Sequence, residues 1–198
     1  MVAGYLLGTI PSADIAAGLA TKGAVDLRQA GSGSPGGANA YNVLGPAWGY
    51  GVMAADIAKG TAAGVVGRWI GGGDGSNAAA AAAVVGHCFP VWSRFRGGKG
   101  VAASVGQCFT TFPAYFPVDI GVAIMFSGRR FKARARTATL VSSALWVAAT
   151  VVWWRRRWPN FWGGAPTAAL PLATALSSAV IAYKFLTVPD PSLPPPAS

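Results

Sequence analysis

Gly86-His87-Cys88-Phe89-Pro90-Val91-Trp92-Ser93-Arg94-Phe95-Arg96-Gly97-Gly98-Lys99-Gly100 follows the apolar run Asn77–Val85 and leads into a second apolar run. It therefore stands where a membrane helix ends. At that end the chain sets its only histidine, the cations Arg94, Arg96 and Lys99, and the glycines Gly97, Gly98 and Gly100. Glycine lets backbone N–H groups approach a ligand closely, and Lys and Arg supply charge, so the combination suits a phosphate. An anion site at a membrane edge fits a chain that handles a polar phosphate compound beside lipid.

Composition agrees with the membrane reading. The 198 residues are 53% hydrophobic and only 11% charged, with a mean hydropathy of +0.42. A soluble domain carries roughly 25% charged residues. The fold expected is all-α and polytopic, with about seven transmembrane helices and re-entrant or glycine-rich cytoplasmic loops. The net charge of +10 lies in short clusters between apolar runs, which is a topology signal and points away from nucleic acid. Cys88 and Cys108 have neither metal-ligand spacing nor a disulfide framework. Residues 2–20 lack the basic start of a cleavable signal peptide. Five tryptophans (Trp48, Trp69, Trp92, Trp153, Trp154) fall at segment ends, as in an aromatic belt.

The first helix is expected over Val2–Ala20, followed by a polar, glycine-rich stretch from Thr21 to Gly45. A second runs from Pro46 to Ile70, a loop covers Gly71–Gly75, and a third runs from Ser76 to Val91. Residues Val101–Ser127 are too long for one straight helix and contain Pro113 and Pro117, so they read as two short helices broken near Phe112–Phe116. The last two are expected over Thr137–Trp154 and Pro166–Leu186. Residues 1–187 then form one integral-membrane domain, and the Pro-rich tail 188–198 is expected to be disordered.

With the N-terminus outside, the interior loops hold Lys22, Arg28, Arg94, Arg96, Lys99, Arg129, Arg130, Lys132, Arg134 and Arg136, ten of the sixteen cations. The exterior loops hold Arg68 and Arg155-Arg156-Arg157. The bias sets the N-terminus outside and places both glycine-rich loops on the cytoplasmic face.

Gly31-Ser32-Gly33-Ser34-Pro35-Gly36 formally matches the dinucleotide fingerprint, but no strand precedes it and Pro35 interrupts the turn. What remains is a turn with exposed N–H groups, two hydroxyls, and the amides of Asn39 and Asn42. Gly97-Gly98-Lys99-Gly100 lacks the Ser or Thr that must follow the lysine of a nucleotide-binding P-loop. Asp56 and Lys59 share a helix face and can pair. Ionisable groups within a membrane segment mark a site or an internal ion pair, and these readings weigh evenly here. Asp14 is similarly costly and has no obvious partner in the sequence. A lone histidine such as His87 is more often a structural hydrogen-bonder, although beside Lys99 and two arginines it can donate to a phosphate.

Several of these segments together resemble the bacterial acyl-phosphate:glycerol-3-phosphate acyltransferases, small seven-helix enzymes of the inner membrane. The resemblance covers nearly all of residues 4–145. It includes Gly4-Tyr5-Leu6-Leu7-Gly8-Thr9-Ile10-Pro11, Asp26-Leu27-Arg28 before Gly31-Ser32-Gly33, then Gly36 and Asn39, and Asp56-Ile57-Ala58-Lys59-Gly60. The most specific part is Gly86-His87-Cys88-Phe89-Pro90 with Arg96-Gly97-Gly98-Lys99-Gly100-Val101-Ala102. Arg136 with Thr139-Leu140-Val141-Ser142 resembles the third motif.

The resemblance implies transfer of a fatty acyl group from acyl phosphate to glycerol 3-phosphate in phospholipid synthesis. It implies no metal and no cofactor, and a single site facing the cytoplasm of a bacterial cell membrane. Catalytic roles fall to Ser32, His87 and Lys99. Substrate-binding roles fall to Arg28, Gly31, Gly33, Asn39, Asp56, Lys59, Arg96, Gly97, Gly98, Thr139 and Ser142. The chain departs from the family pattern at Ser34, Ala38 and Asn42, where the family has Asn, Thr and Arg. It also has Ala182-Tyr183-Lys184-Phe185-Leu186 where the family has a His…Asn pair. These departures support an alternative, a divergent paralogue with a changed acceptor or no activity. A small transporter ranks third, because the polar groups gather in same-side loops instead of along several helices.

Overall fold

The computed structural model describes residues 1–125 and 131–188, with side chains for 1–125 and 135–188. Those residues are helical, apart from loops and one isolated bridge between Asn160 and Gly163. The elements are α1 (Val2–Gly8), α2 (Ser12–Thr21), α3 (Gly37–Leu44), α4 (Pro46–Cys88), α5 (Val101–Thr111), α6 (Phe116–Met125), α7 (Phe131–Arg155) and α8 (Ala169–Thr187). Short 3₁₀ turns cover Val91–Ser93 and Pro113–Tyr115.

α4 breaks at Gly71–Gly72, and the molecule is built around its second arm, which runs on from Gly73 to Cys88. Residues Ala79–Val84 there are each at most 7% exposed, as expected of a helix surrounded by others. Small residues let the neighbouring backbones approach. A Cβ on Gly4 would stand 2.2 Å from the carbonyl oxygen of Ala79, and one on Gly8 would stand 2.1 Å from that of Ala83. This is small-xxx-small packing, the form helix association takes where lipid supplies no hydrophobic drive.

The first expected helix is split at Thr9–Pro11, because proline removes a backbone donor. The expected loop Gly71–Gly75 is shorter than the sequence implied. Only Gly71 and Gly72 leave helical geometry, and Gly73–Gly75 open the second arm of α4. That arm stops at Cys88 instead of Val91, and Pro90 follows at once. The glycine-rich stretch contains a helix, α3, that its composition conceals, since five of its eight residues are Gly, Ala or Asn. The break after Val101 is present: α5 and the segment Pro113–Met125 meet at 119°. The sixth expected helix begins earlier, at Phe131, so Lys132, Arg134 and Arg136 belong to its first turns and not to a loop. Arg129, Arg130 and the tail 189–198 lie outside the described residues.

Among the described residues three helices are long and apolar enough to cross a membrane: Val2–Thr21, Ala135–Arg155 and Ala169–Thr187. The bent pair makes a fourth if it counts as one span. The arms of α4 are not among them; their glycines and the polar residues Asp56, Lys59, Asp74, Asn77 and His87 lower the mean hydropathy, so seven spans are not reached by length and composition alone. All the same, α4 carries much of the buried interior.

Candidate active site

The last turns of α4 and the loop after them meet the α1–α2 break and the loop after α2. Tyr5 donates its hydroxyl to the carbonyl of Phe89 at 2.8 Å, and Trp92 donates its indole N–H to Thr9 Oγ1 at 3.0 Å. Arg28 ties the loops together. Its guanidinium forms a fork on both oxygens of Asp14, at 2.7 and 3.0 Å, and its Nε donates to the carbonyl of Arg96 at 2.9 Å. Asp14 thereby acquires the partner that its sequence did not reveal. Donation to the Asp14 carboxylate holds the Arg28 guanidinium above its already high ordinary value, against the opposing effect of burial.

Behind this clamp lies a buried charged group. Asp56, Lys59 and His87 are 2%, 6% and 7% exposed. Lys59 Nζ stands 2.9 Å from Asp56 Oδ1 and donates to the carbonyl of Ile10 at 2.9 Å. His87 Nδ1 lies 3.5 Å from the same Asp56 oxygen. A carboxylate at Nδ1 favours the tautomer protonated there and leaves Nε2 for another partner. Nε2 faces Gly98: a Cβ at that position would come within 2.3 Å of it and 3.0 Å of the Pro35 carbonyl. Only glycine permits this approach. Asp14, Arg28, Pro35, Asp56, Lys59, His87, Gly97 and Gly98 share one narrow cavity of about 20 Å³, room for about one water.

The glycine amides do not all point outward. Gly97 N–H donates to the carbonyl of Cys88 and Gly98 N–H to that of His87, at 3.2 and 3.1 Å. Their hydrogen bonds fold the loop onto the helix end and hold Lys99 beyond it. Lys99 Nζ stands 4.8 Å above the Phe185 ring. Gly100, at φ +88°, turns the chain into α5, where a side chain would collide with Cys88 Sγ.

The Ser32 loop is likewise ordered from within. Asn39, 2% exposed, accepts from the Ser32 N–H at 2.8 Å and donates to the carbonyls of Leu27 and Ala30, both at 2.9 Å. Asn39 thus staples the loop, and its amide is fully occupied. Gly31 and Gly33 adopt φ of +62° and +69°, and the Ser32 side chain makes no hydrogen bond among the described residues. Arg96 is exposed, and its contribution to the cluster is its carbonyl.

Thr139 and Ser142 do not join this cavity. They line a second one, of about 170 Å³, with Val101, Val105, Asp119 and Trp146. There Ser142 donates to Asp119, and Tyr115 OH donates to the Ser142 carbonyl at 2.6 Å. The expected single cluster is therefore divided between two cavities that share no lining residue. Asp119 and Tyr115 were not singled out in the sequence, although an aspartate inside an apolar run is a recognisable signal.

The family model for glycerol-3-phosphate acyltransferase matches residues 1–187. The chain belongs to the glycerol-3-phosphate acyltransferase family. A glycerol-3-phosphate acyltransferase of Bradyrhizobium diazoefficiens is 35% identical over 155 residues, covering 78% of this chain and 75% of the relative. Two solved structures of PlsY, an integral membrane glycerol 3-phosphate acyltransferase, superpose with a TM-score of 0.70. The lysophosphatidic acid form is 27% identical and covers 92% of this chain and 84% of its own. The glycerol 3-phosphate form is 25% identical and covers 98% and 93%. This chain is accordingly an integral-membrane acyltransferase of phospholipid synthesis, and the acyltransferase carries its buried Asp56–Lys59–His87 group under the Gly97-Gly98 turn.

Proposed function

We propose that this acyltransferase moves a fatty acyl group from acyl phosphate to the 1-hydroxyl of glycerol 3-phosphate. The acceptor oxygen bonds to the acyl carbon, the acyl–phosphate C–O bond breaks, and the hydroxyl proton leaves with the phosphate. The products are lysophosphatidic acid and inorganic phosphate. The observation that carries this reading is the Nε2 face of His87, backed by Asp56 and Lys59 and turned toward the Gly98 loop. An acyl phosphate is already activated, so positioning and charge stabilisation supply most of what catalysis needs.

In this reading Ser32, with Gly31 and Gly33, offers a hydroxyl and turn geometry to the donor phosphate. Lys99 clamps a phosphate at the edge of the Gly97-Gly98 turn, and His87 hydrogen-bonds the reacting groups. Asp56 and Lys59 fix His87; Arg28, Asn39 and the Arg96 carbonyl fix the loops. Thr139 and Ser142 border the larger, mostly apolar cavity, which suits the first part of an acyl chain. Residues 1–187 act as one unit in the bacterial plasma membrane, with the N-terminus outside and the reaction on the cytoplasmic side.

The test is direct. Purified protein receives palmitoyl phosphate with and without glycerol 3-phosphate while phosphate release is followed. Release that depends on the acceptor is the expected result. Its absence, under conditions where the Bradyrhizobium relative is active, overturns the reading in favour of a divergent paralogue.

A further inference from the structure

One cation near the site has no place in the mechanism above. Lys184 lies in the last turn of α8 and is only 5% exposed. Among the described residues no carboxylate lies within ion-pair distance of it, and its Nζ makes no hydrogen bond. Its one contact of charge is the face of the Phe89 ring, 5.2 Å away. The charges that bear on it are positive, those of Arg28 and Lys99. Cys88 is the other ionisable neighbour, and a thiol is neutral at pH 7.

A lysine so nearly enclosed and without a counter-ion is costly, and cations gathered around it add to the cost. Such an arrangement is stable where an anion completes it. The aromatic contacts locate that anion. Lys184 rests on Phe89 from the helix-end loop, and Lys99 rests on Phe185 from α8. The two lysines thus cross between the same pair of segments. Ile181, one helical turn before Lys184, lines the larger cavity, and Val101, two residues after Lys99, lines it too. The pair is thus close in the chain to residues of both cavities, Gly98 of the polar one and Val101 and Ile181 of the larger.

We infer that Lys184, together with Lys99, binds the phosphate of a substrate, and that α8 thereby supplies a specificity-determining cation to the active site. The inference rests on the transferase reading above and deepens it. Neither acyl phosphate nor glycerol 3-phosphate is favoured by the geometry, since both present the same dianionic head.

The experiment compares the full-length protein with Lys184→Met and Lys184→Arg. KM is measured for each substrate at saturating levels of the other, and melting temperature is measured with inorganic phosphate or glycerol 3-phosphate. Lys184→Met should raise the KM for one substrate roughly ten- to a hundredfold, the effect of losing one charged hydrogen bond. Its kcat should stay within about threefold and its unliganded melting temperature should not fall, because an apolar side chain removes an unpaired charge. Lys184→Arg should restore KM to within a few-fold. A rise confined to glycerol 3-phosphate assigns the acceptor, and one confined to acyl phosphate assigns the donor.

Unchanged KM values, with phosphate protecting Lys184→Met as it protects the parent, would overturn the inference and leave a lysine that only caps the helix. Protection by phosphatidylglycerol vesicles alone would also overturn it, in favour of a lipid-headgroup contact. If the parent transfers no acyl group, the protection measurement still decides. Phosphate that stabilises the parent and not Lys184→Met upholds Lys184 while the transferase reading falls. Should Lys184→Met fail to purify, Lys184→Gln is judged by the same measurements.

Discussion

The two ends of the helical bundle use cations differently. At one end Arg68 donates to the carbonyls of Trp162 and Thr110, both at 2.8 Å, and Trp162 donates its indole N–H to Phe109 at 2.7 Å. Each of these donors finishes on a backbone oxygen and ties the loops down. At the other end the charges are more deeply buried and less completely answered. His87 keeps Nε2 open beneath Gly98, Ser32 keeps its hydroxyl open, and Lys184 has only an aromatic face. An arginine closed on carbonyls holds loops together, whereas a buried lysine without an acid is held ready for a ligand. The site proposed above belongs to the end that is electrostatically unfinished.

Breaking the buried charge group should produce the largest effect. Asp56→Asn removes the carboxylate shared by Lys59 and His87 and leaves a buried ammonium uncompensated. The expected loss is about 3–5 kcal/mol of stability, read as a lowered midpoint in thermal or denaturant unfolding in detergent. Activity per folded molecule should fall as well, because His87 loses the group that orients it. An Asp56→Asn protein as stable as the parent would mean that the three side chains contribute no more than an exposed ion pair does.

Much of this contrast was legible in the sequence. The helix-end motif, the Asp56–Lys59 spacing and the break before Phe116 all rest on local rules of periodicity and proline chemistry, and each is present in the fold. Partners distant in the chain were not legible. Asp14 and Arg28 lie fourteen residues apart across a helix end and a turn, and nothing local announces their fork. Nor does local sequence reveal that the Gly97 and Gly98 amides turn back to Cys88 and His87, leaving charge and the histidine ring as what they present to a ligand. The separation of Thr139 and Ser142 from the first cavity depends on how α5 and α8 pack, which no motif records.

Lys99→Ala comes next in size. It removes a positioned cation from the edge of the turn, and the expected fall in kcat/KM is at least about 100-fold, roughly 2.7 kcal/mol of transition-state stabilisation. The unfolding midpoint should barely move. A variant with parental kcat/KM would transfer the clamp from Lys99 to another cation. Asp14→Asn is milder. It converts a charged fork on Arg28 into a weaker neutral contact at a partly exposed pair, and the expected cost is about 1–2 kcal/mol. Because Arg28 also holds the Arg96 carbonyl, that cost should appear as a several-fold rise in KM. Raised salt should reproduce part of it in the parent and little of it in the variant.

The smallest effect sharpens the comparison from the Arg68 end. Arg68→Met deletes two hydrogen bonds to carbonyls near the chain's surface, where water can replace the lost donor. About 1 kcal/mol of stability should go, and the Trp162 loop should exchange its amide hydrogens faster. The kcat/KM of the folded enzyme should equal the parent's, since Arg68 reaches the last turn of α5 and not the His87 cluster. If Arg68→Met instead lowered kcat/KM as Asp14→Asn does, the two ends would be coupled through α4. The distinction between a cation that ties loops down and one that waits for a ligand would then have to be redrawn along the whole length of that helix.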